Sequence, residues 1–180
     1  SLRNRANASL KLLRRRLNDV PEELRASAEK VLESEKKILS TMRLVSDLKM
    51  EAQRIRIHGD YHLSHALFTG RTFVIIDFEG ETSRALGERR LKRTPFRDVA
   101  SMLRSLDHAA YTCFFRLQDS RLIPDHDVPI AESWTRFWYS WVGTAFLKAY
   151  LQTEGVEKFL PKEANQRKAL LEGFLLKRAM

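Results

Sequence analysis

The chain has 180 residues, 43% of them hydrophobic, and a formal net charge of +9 at pH 7. That length can bury one sizeable core and favours one domain spanning residues 1–180 over two. A single cysteine, Cys113 in AAYTCFF, excludes an internal disulfide and a cysteine-rich metal centre; it reads as a small buried hydrophobe in a reducing compartment. No stretch approaches the roughly 20 apolar residues of a membrane span, so the expected location is cytoplasmic, with no membrane partner.

The basic charge has two foci. Arg3, Arg5, Lys11, Arg14, Arg15 and Arg16 precede any acid, and ERRLKRTPFR covers 88–97. Leu10, Leu13 and Leu17 share a helical face beneath the first cluster, which therefore reads first as the solvated side of an amphipathic helix, with polyanion binding as the alternative. After NDVPEE, with Pro21 at a helix start, apolar residues recur from Leu24 to Val45; they predict one long amphipathic helix over roughly 21–48. RIRI at 54–57 alternates like a short strand. HALF at 65–68 and TFVIID at 72–77 flank Thr-Gly-Arg and predict a β-hairpin around Gly70.

From Phe96 the 3.6-residue period returns through Val99, Met102, Leu103, Leu106, Ala110 and Phe114, introduced by Thr94-Pro95. A further helix carries Trp134, Phe137, Trp138, Trp141 and Ala145 on one side. Such a stripe reads as core, with Trp134 and Trp138 reaching a ligand if that face borders a cleft. An apolar turn, GVEKFLP, precedes a last helix from about 163. The expected class is mainly α with a small β-hairpin, an α+β arrangement.

Chemistry concentrates in RIRIHGDYHLSHALFTGRTFVIIDFEGE, residues 54–81. HGDYHLSH and DFEGE each begin where an apolar strand hands over to a loop, the usual place for reactive groups on a rigid scaffold. The catalytic loop of protein kinases, H-R-D-x-x-x-x-N, places a proton-accepting aspartate five residues before a metal ligand, and a second aspartate, in D-F-G, holds magnesium. Here His58-Gly59-Asp60, then His65, a hairpin, and Asp77-Phe78-Glu79 follow the same order. Phosphoryl transfer asks for in-line positioning and for charge neutralisation. Asp60 then orients the acceptor hydroxyl and takes its proton, and Asp77 offers hard oxygen to Mg²⁺ or Mn²⁺.

HGDYHL, FVIIDFEGE, ERRLKRTPFRDVASMLRS and HAAY resemble the carboxy-terminal lobe of maltokinases, especially those fused to trehalose synthase, within the aminoglycoside-phosphotransferase-like kinases. The similarity extends through LRRRL, PEELR, the Trp-rich helix and LLEGFLL. It implies a protein-kinase-like lobe that phosphorylates maltose to maltose 1-phosphate with ATP, with a fused or associated trehalose synthase as partner. It also implies a catalytic loop at 58–65 with Asp60 as base, and a metal loop at 77–81 with Asp77 and His65 as ligands. His62, Glu79 and Arg97 are expected at the substrate, while His58 and Asp98 brace the catalytic loop; Glu81 and Arg93 read equally well as sugar contacts or as ion-pair partners.

Two departures qualify the resemblance. The family usually reads HGDYHLGQ, whereas Ser64-His65 stands here, and imidazole suits zinc or manganese better than magnesium. No amino-terminal lobe precedes Ser1, so the chain is expected to be inactive alone, with self-association through an exposed cleft face. The alternatives are a degenerate lobe serving as a basic interaction module and a zinc hydrolase built on His58, Asp60, His62 and His65.

Overall fold

A computed structural model describes residues 2–47 and 52–179 of the chain. The contacts divide it into two compact units, Ser1–Glu51 with Pro161–Met180, and Ala52–Leu160. The expected class holds: the described residues are mostly helical, with one two-stranded antiparallel sheet.

The first unit packs α1 (Leu2–Arg15) and α7 (Ala164–Ala179) against α3 (Glu35–Asp47), with α2 (Glu22–Glu33) alongside. Ala6 and Leu10 of α1, Met42 and Val45 of α3 and Leu170 of α7 are buried. Gly173 lets α7 approach α3 closely, since a Cβ there would lie 2.2 Å from Val45 Cγ2. Arg14 in the basic cluster pairs with Glu35 at 2.6 Å.

The long helix expected over 21–48 is two helices that meet at Ser34, and position 48 lies outside the described residues. Ser34 Oγ donates to the Lys30 carbonyl at 2.9 Å. Ser34 has φ −77° and ψ 1°, away from the α-helical ψ, and this local departure ends α2 while the apolar period runs on across it.

In the second unit, β1 (Ala66–Phe68) pairs with β2 (Phe73–Ile75) in the register Ala66↔Ile75, Leu67↔Val74, Phe68↔Phe73. The turn forms where expected, with Gly70 at φ +90°, a region glycine enters without steric cost. RIRI does not form a strand. Only Ile55 bridges, exchanging N–H···O bonds with Arg93 at 3.0 and 2.8 Å. The partner segment runs at once into Thr94-Pro95, and proline has no N–H with which to extend a ladder.

After the single turn of α4 (Leu86–Arg89), α5 (Phe96–Asp119) packs on α6 (Val128–Leu151). The 96–114 stripe read from the sequence is the buried face of α5. The aromatic stripe of α6 is not core: Trp134 and Trp141 are each 65% exposed, and Phe137 and Trp138 are exposed too. Gly143 is the buried residue of α6. Cys113 is likewise exposed, because it points away from the buried face of α5. Among the described residues, no helix is long and apolar enough to cross a membrane.

Candidate active site

Three pieces of the second unit converge at one corner: the loop from His58 to His65, the end of β2 with residues 77–81, and the first turns of α5. The helix start at Phe96 sets Asp98 in the first turn. Its Oδ2 accepts the His58 N–H at 2.7 Å and its Oδ1 the Gly59 N–H at 3.0 Å, so one carboxylate clamps two successive amides of the loop. Burial pushes the Asp98 carboxyl above the ordinary carboxylate range, against the opposing pull of those two N–H groups and the electrostatic attraction of His58 and Arg97. The Tyr61 phenol is raised by burial first and by the Asp98 charge second.

His58 ties the loop to the strand end. Its Nε2 lies 2.7 Å from the Ile76 carbonyl, which only accepts, so Nε2 donates; its Nδ1 accepts the Asp60 N–H at 3.3 Å. One imidazole thus fixes the backbone of Asp60 and the residue preceding Asp77. Phe78 stands 5.0 Å from the His58 ring but remains largely exposed. Asp77 itself has φ +65°, in the left-handed region, which aspartate enters more readily than most non-glycine residues. Gly59 and Gly80 also have positive φ, and a Cβ on Gly80 would come 3.1 Å from the His58 carbonyl oxygen.

His65 spans the two aspartates. Its Nδ1 lies 2.9 Å from the Asp60 carbonyl and its Nε2 3.1 Å from Asp77 Oδ2. His62 Nε2 lies 3.6 Å from Asp60 Oδ2, and the rings of His62 and His65 stand 3.8 Å apart. One ligand atom each from Asp60, His62 and His65 lies within 4.8 Å of the other two. The corner therefore brings together Asp60, His62, His65, Asp77, His58 and Asp98.

Arg97 and Glu79 are placed differently. Arg97 lines a small cavity with His58, Gly59, Gly80, Arg89 and Arg93, to which neither Asp60 nor Asp77 contributes. Glu79 is exposed, and its backbone carbonyl accepts from Arg89 at 3.2 Å. Glu81 pairs with Arg84. Ser105, which sequence reasoning missed, accepts the Leu63 N–H on its Oγ at 3.0 Å. Ser105 lies seven positions after Asp98, two helical turns, so both project from one face of α5; that spacing was the available signal.

A kinase-like lobe is the class this fold defines. The chain superposes on a solved structure described as glucosamine kinase in complex with glucosamine, ADP and inorganic phosphate, with a TM-score of 0.68 and 22% identity over 96% of this chain and 40% of that one. A second glucosamine kinase structure, crystal form B, gives 0.65 at 23% identity over 96% and 38%. The sequence model described as "Phosphotransferase enzyme family" matches residues 1–110, and the chain belongs to that family. It is also 28% identical over 99 residues to a glucosamine kinase of Streptacidiphilus jiangxiensis, spanning 55% of this chain and 20% of that protein. The chain thus spans about a fifth of the length of that curated relative and two-fifths of the solved kinases.

Proposed function

We propose that this chain is the phosphoryl-transfer lobe of an ATP-dependent sugar kinase, with maltose as acceptor and maltose 1-phosphate as product. The observation that carries the reading is His65, which touches both the Asp60 backbone and the Asp77 carboxylate and so gathers two carboxylates from separate loops at one corner. Asp60 orients the anomeric hydroxyl and accepts its proton as the oxygen attacks the terminal phosphorus of ATP; ADP departs. His62 stands beside Asp60 on the acceptor side. Asp98 and His58 hold the loop in position.

Asp77 fits a hard cation such as Mg²⁺, while His65 offers nitrogen, so the pair is better matched to Mn²⁺. A divalent ion there would neutralise charge on the phosphates. Family membership and the sequence resemblance support the reaction type, and the resemblance supports maltose and a trehalose synthase partner. The glucosamine kinase relatives favour glucosamine as a second acceptor reading.

The test uses the longest natural reading frame containing these 180 residues. Transfer from ATP to maltose and to glucosamine is followed with Mg²⁺ or Mn²⁺. Asp60→Asn and Asp77→Asn should each lower kcat by about 100-fold or more. Phosphorylation of glucosamine alone would replace the acceptor; phosphorylation of neither sugar, or full activity in both variants, would remove the reading.

A further inference from the structure

We propose that Asp60, His62 and His65 form a site for a borderline divalent cation of the zinc type, sharing only His65 with the Asp77 position. Two imidazoles and one carboxylate around an open position are a donor set that zinc takes at about 2.0–2.2 Å, and nitrogen donors select it over magnesium. One ligand atom from each residue already lies within 4.8 Å of the others. Ligand atoms on a tetrahedral zinc stand about 3.3 Å apart, by geometry from those bond lengths. His62 Nε2 and Asp60 Oδ2, at 3.6 Å, are close to that spacing before any ion is present.

The local fold prepares both imidazoles. Leu63–His65 is a single 3₁₀ turn, closed by the His65 N–H donating to the His62 carbonyl at 2.9 Å. His62 is the extended residue that enters this turn, three positions before His65, and the closed turn leaves the two ring centroids 3.8 Å apart. The turn is pinned to α5 through Leu63 and Ser105. His65 Nδ1 faces a main-chain carbonyl, Asp60 O, at 2.9 Å and must donate to it. Metal-binding histidines commonly direct their second nitrogen to a carbonyl in this way, which fixes the tautomer and turns the free lone pair toward the ion. In the neutral tautomer that this contact selects, His65 Nε2 keeps its lone pair for an ion.

The functional consequence rests on the phosphoryl-transfer reading: Asp60 engaged by a metal cannot accept the acceptor's proton, so a zinc-type ion would hold the lobe inactive. The existence of the site does not depend on that reading, and its test reads no kinase activity.

The metal-free 180-residue chain is titrated with Co²⁺ and followed by visible absorption, with Zn²⁺ as competitor. One equivalent of Co²⁺ should bind with the intense bands of a low-coordinate nitrogen and oxygen site, be displaced by Zn²⁺, and resist equal Mg²⁺. His62→Gln and His65→Gln should each weaken binding at least about tenfold, whereas Asp77→Asn should retain the bands; far-UV circular dichroism verifies that each variant is folded. Absence of binding would overturn the proposal. So would binding that Asp77→Asn abolishes and folded His62→Gln leaves intact, which would place the ion on the Asp77–His65 pair instead. Co²⁺ binding as expected without sugar phosphorylation by the longer protein would overturn only the kinase reading.

Discussion

α5 and α6 are both 24 residues long and pack on one another, yet α5 buries nine residues and α6 buries Gly143. The apolar residues of α5 fall on one stripe, and that stripe meets the rest of its unit. Those of α6 include four exposed aromatics, Trp134, Phe137, Trp138 and Trp141, whose rings pack in part on each other, as Trp134 does on Phe137 at 5.5 Å. Helical periodicity establishes that a segment coils; it does not establish which face is covered. The same α5 that forms the core also presents Asp98 and Ser105 to the loop carrying Asp60. In α5, stability and site geometry are therefore joined, and in the exposed face of α6 they are separate.

The largest test of that contrast is Phe96→Ala. Phe96 is 1% exposed, and emptying such a site should cost about 3–5 kcal/mol in urea unfolding of the chain. A loss below 1 kcal/mol would break the view of α5 as the core helix.

Asp98→Asn comes next. An amide cannot accept two N–H bonds on two oxygens, so one loop amide loses its partner and the variant should lose about 1–3 kcal/mol. The pH dependence has a defined sign. The folded-state carboxyl titrates above its ordinary value of 3.8, so its contribution to stability is full below that value and declines as pH rises through the raised folded value. The stability gap between wild type and Asp98→Asn should shrink over that interval and stay flat above it. A gap that widens there would contradict the assigned dominance of burial.

Ser105→Ala should cost about 0.5–1.5 kcal/mol by removing the acceptor of the Leu63 N–H. Faster amide exchange at Leu63, with α5 otherwise protected, would sharpen the link between helix and loop. Trp141→Ala should change stability by no more than about 0.5 kcal/mol, since the ring is 65% exposed. A loss comparable to Phe96→Ala would erase the distinction between the two helices.

Much of this was legible in the sequence because it is local. Gly70 between two apolar runs marks the hairpin, and Thr94-Pro95 before Phe96 marks the start of α5. The spacing of Asp60, His65 and Asp77 around the hairpin flagged the corner, which the structure assembles through His65. Ser34 was read through because its departure from helical ψ leaves the apolar pattern uninterrupted. The exposure of Cys113 and of the α6 aromatics depends on what packs where, which no single segment encodes. The close approach of His62 and His65 needed a 3₁₀ turn, and HGDYHLSH carries no unambiguous mark of one.

The near contact of Gly59 and Gly80 has a mechanical meaning. A Cβ on Gly59 would touch Gly80 Cα at 3.6 Å, and one on Gly80 would press on the His58 carbonyl oxygen at 3.1 Å. The loops bearing Asp60 and Asp77 abut backbone to backbone, with no side chain between them to act as a cushion. A displacement of either loop toward the other is transmitted directly, so the two carboxylates shift together. Such a joint fixes the spacing between the backbones that carry the two carboxylates, which chemistry sensitive to a misplacement of about 1 Å, worth roughly a hundredfold, would need.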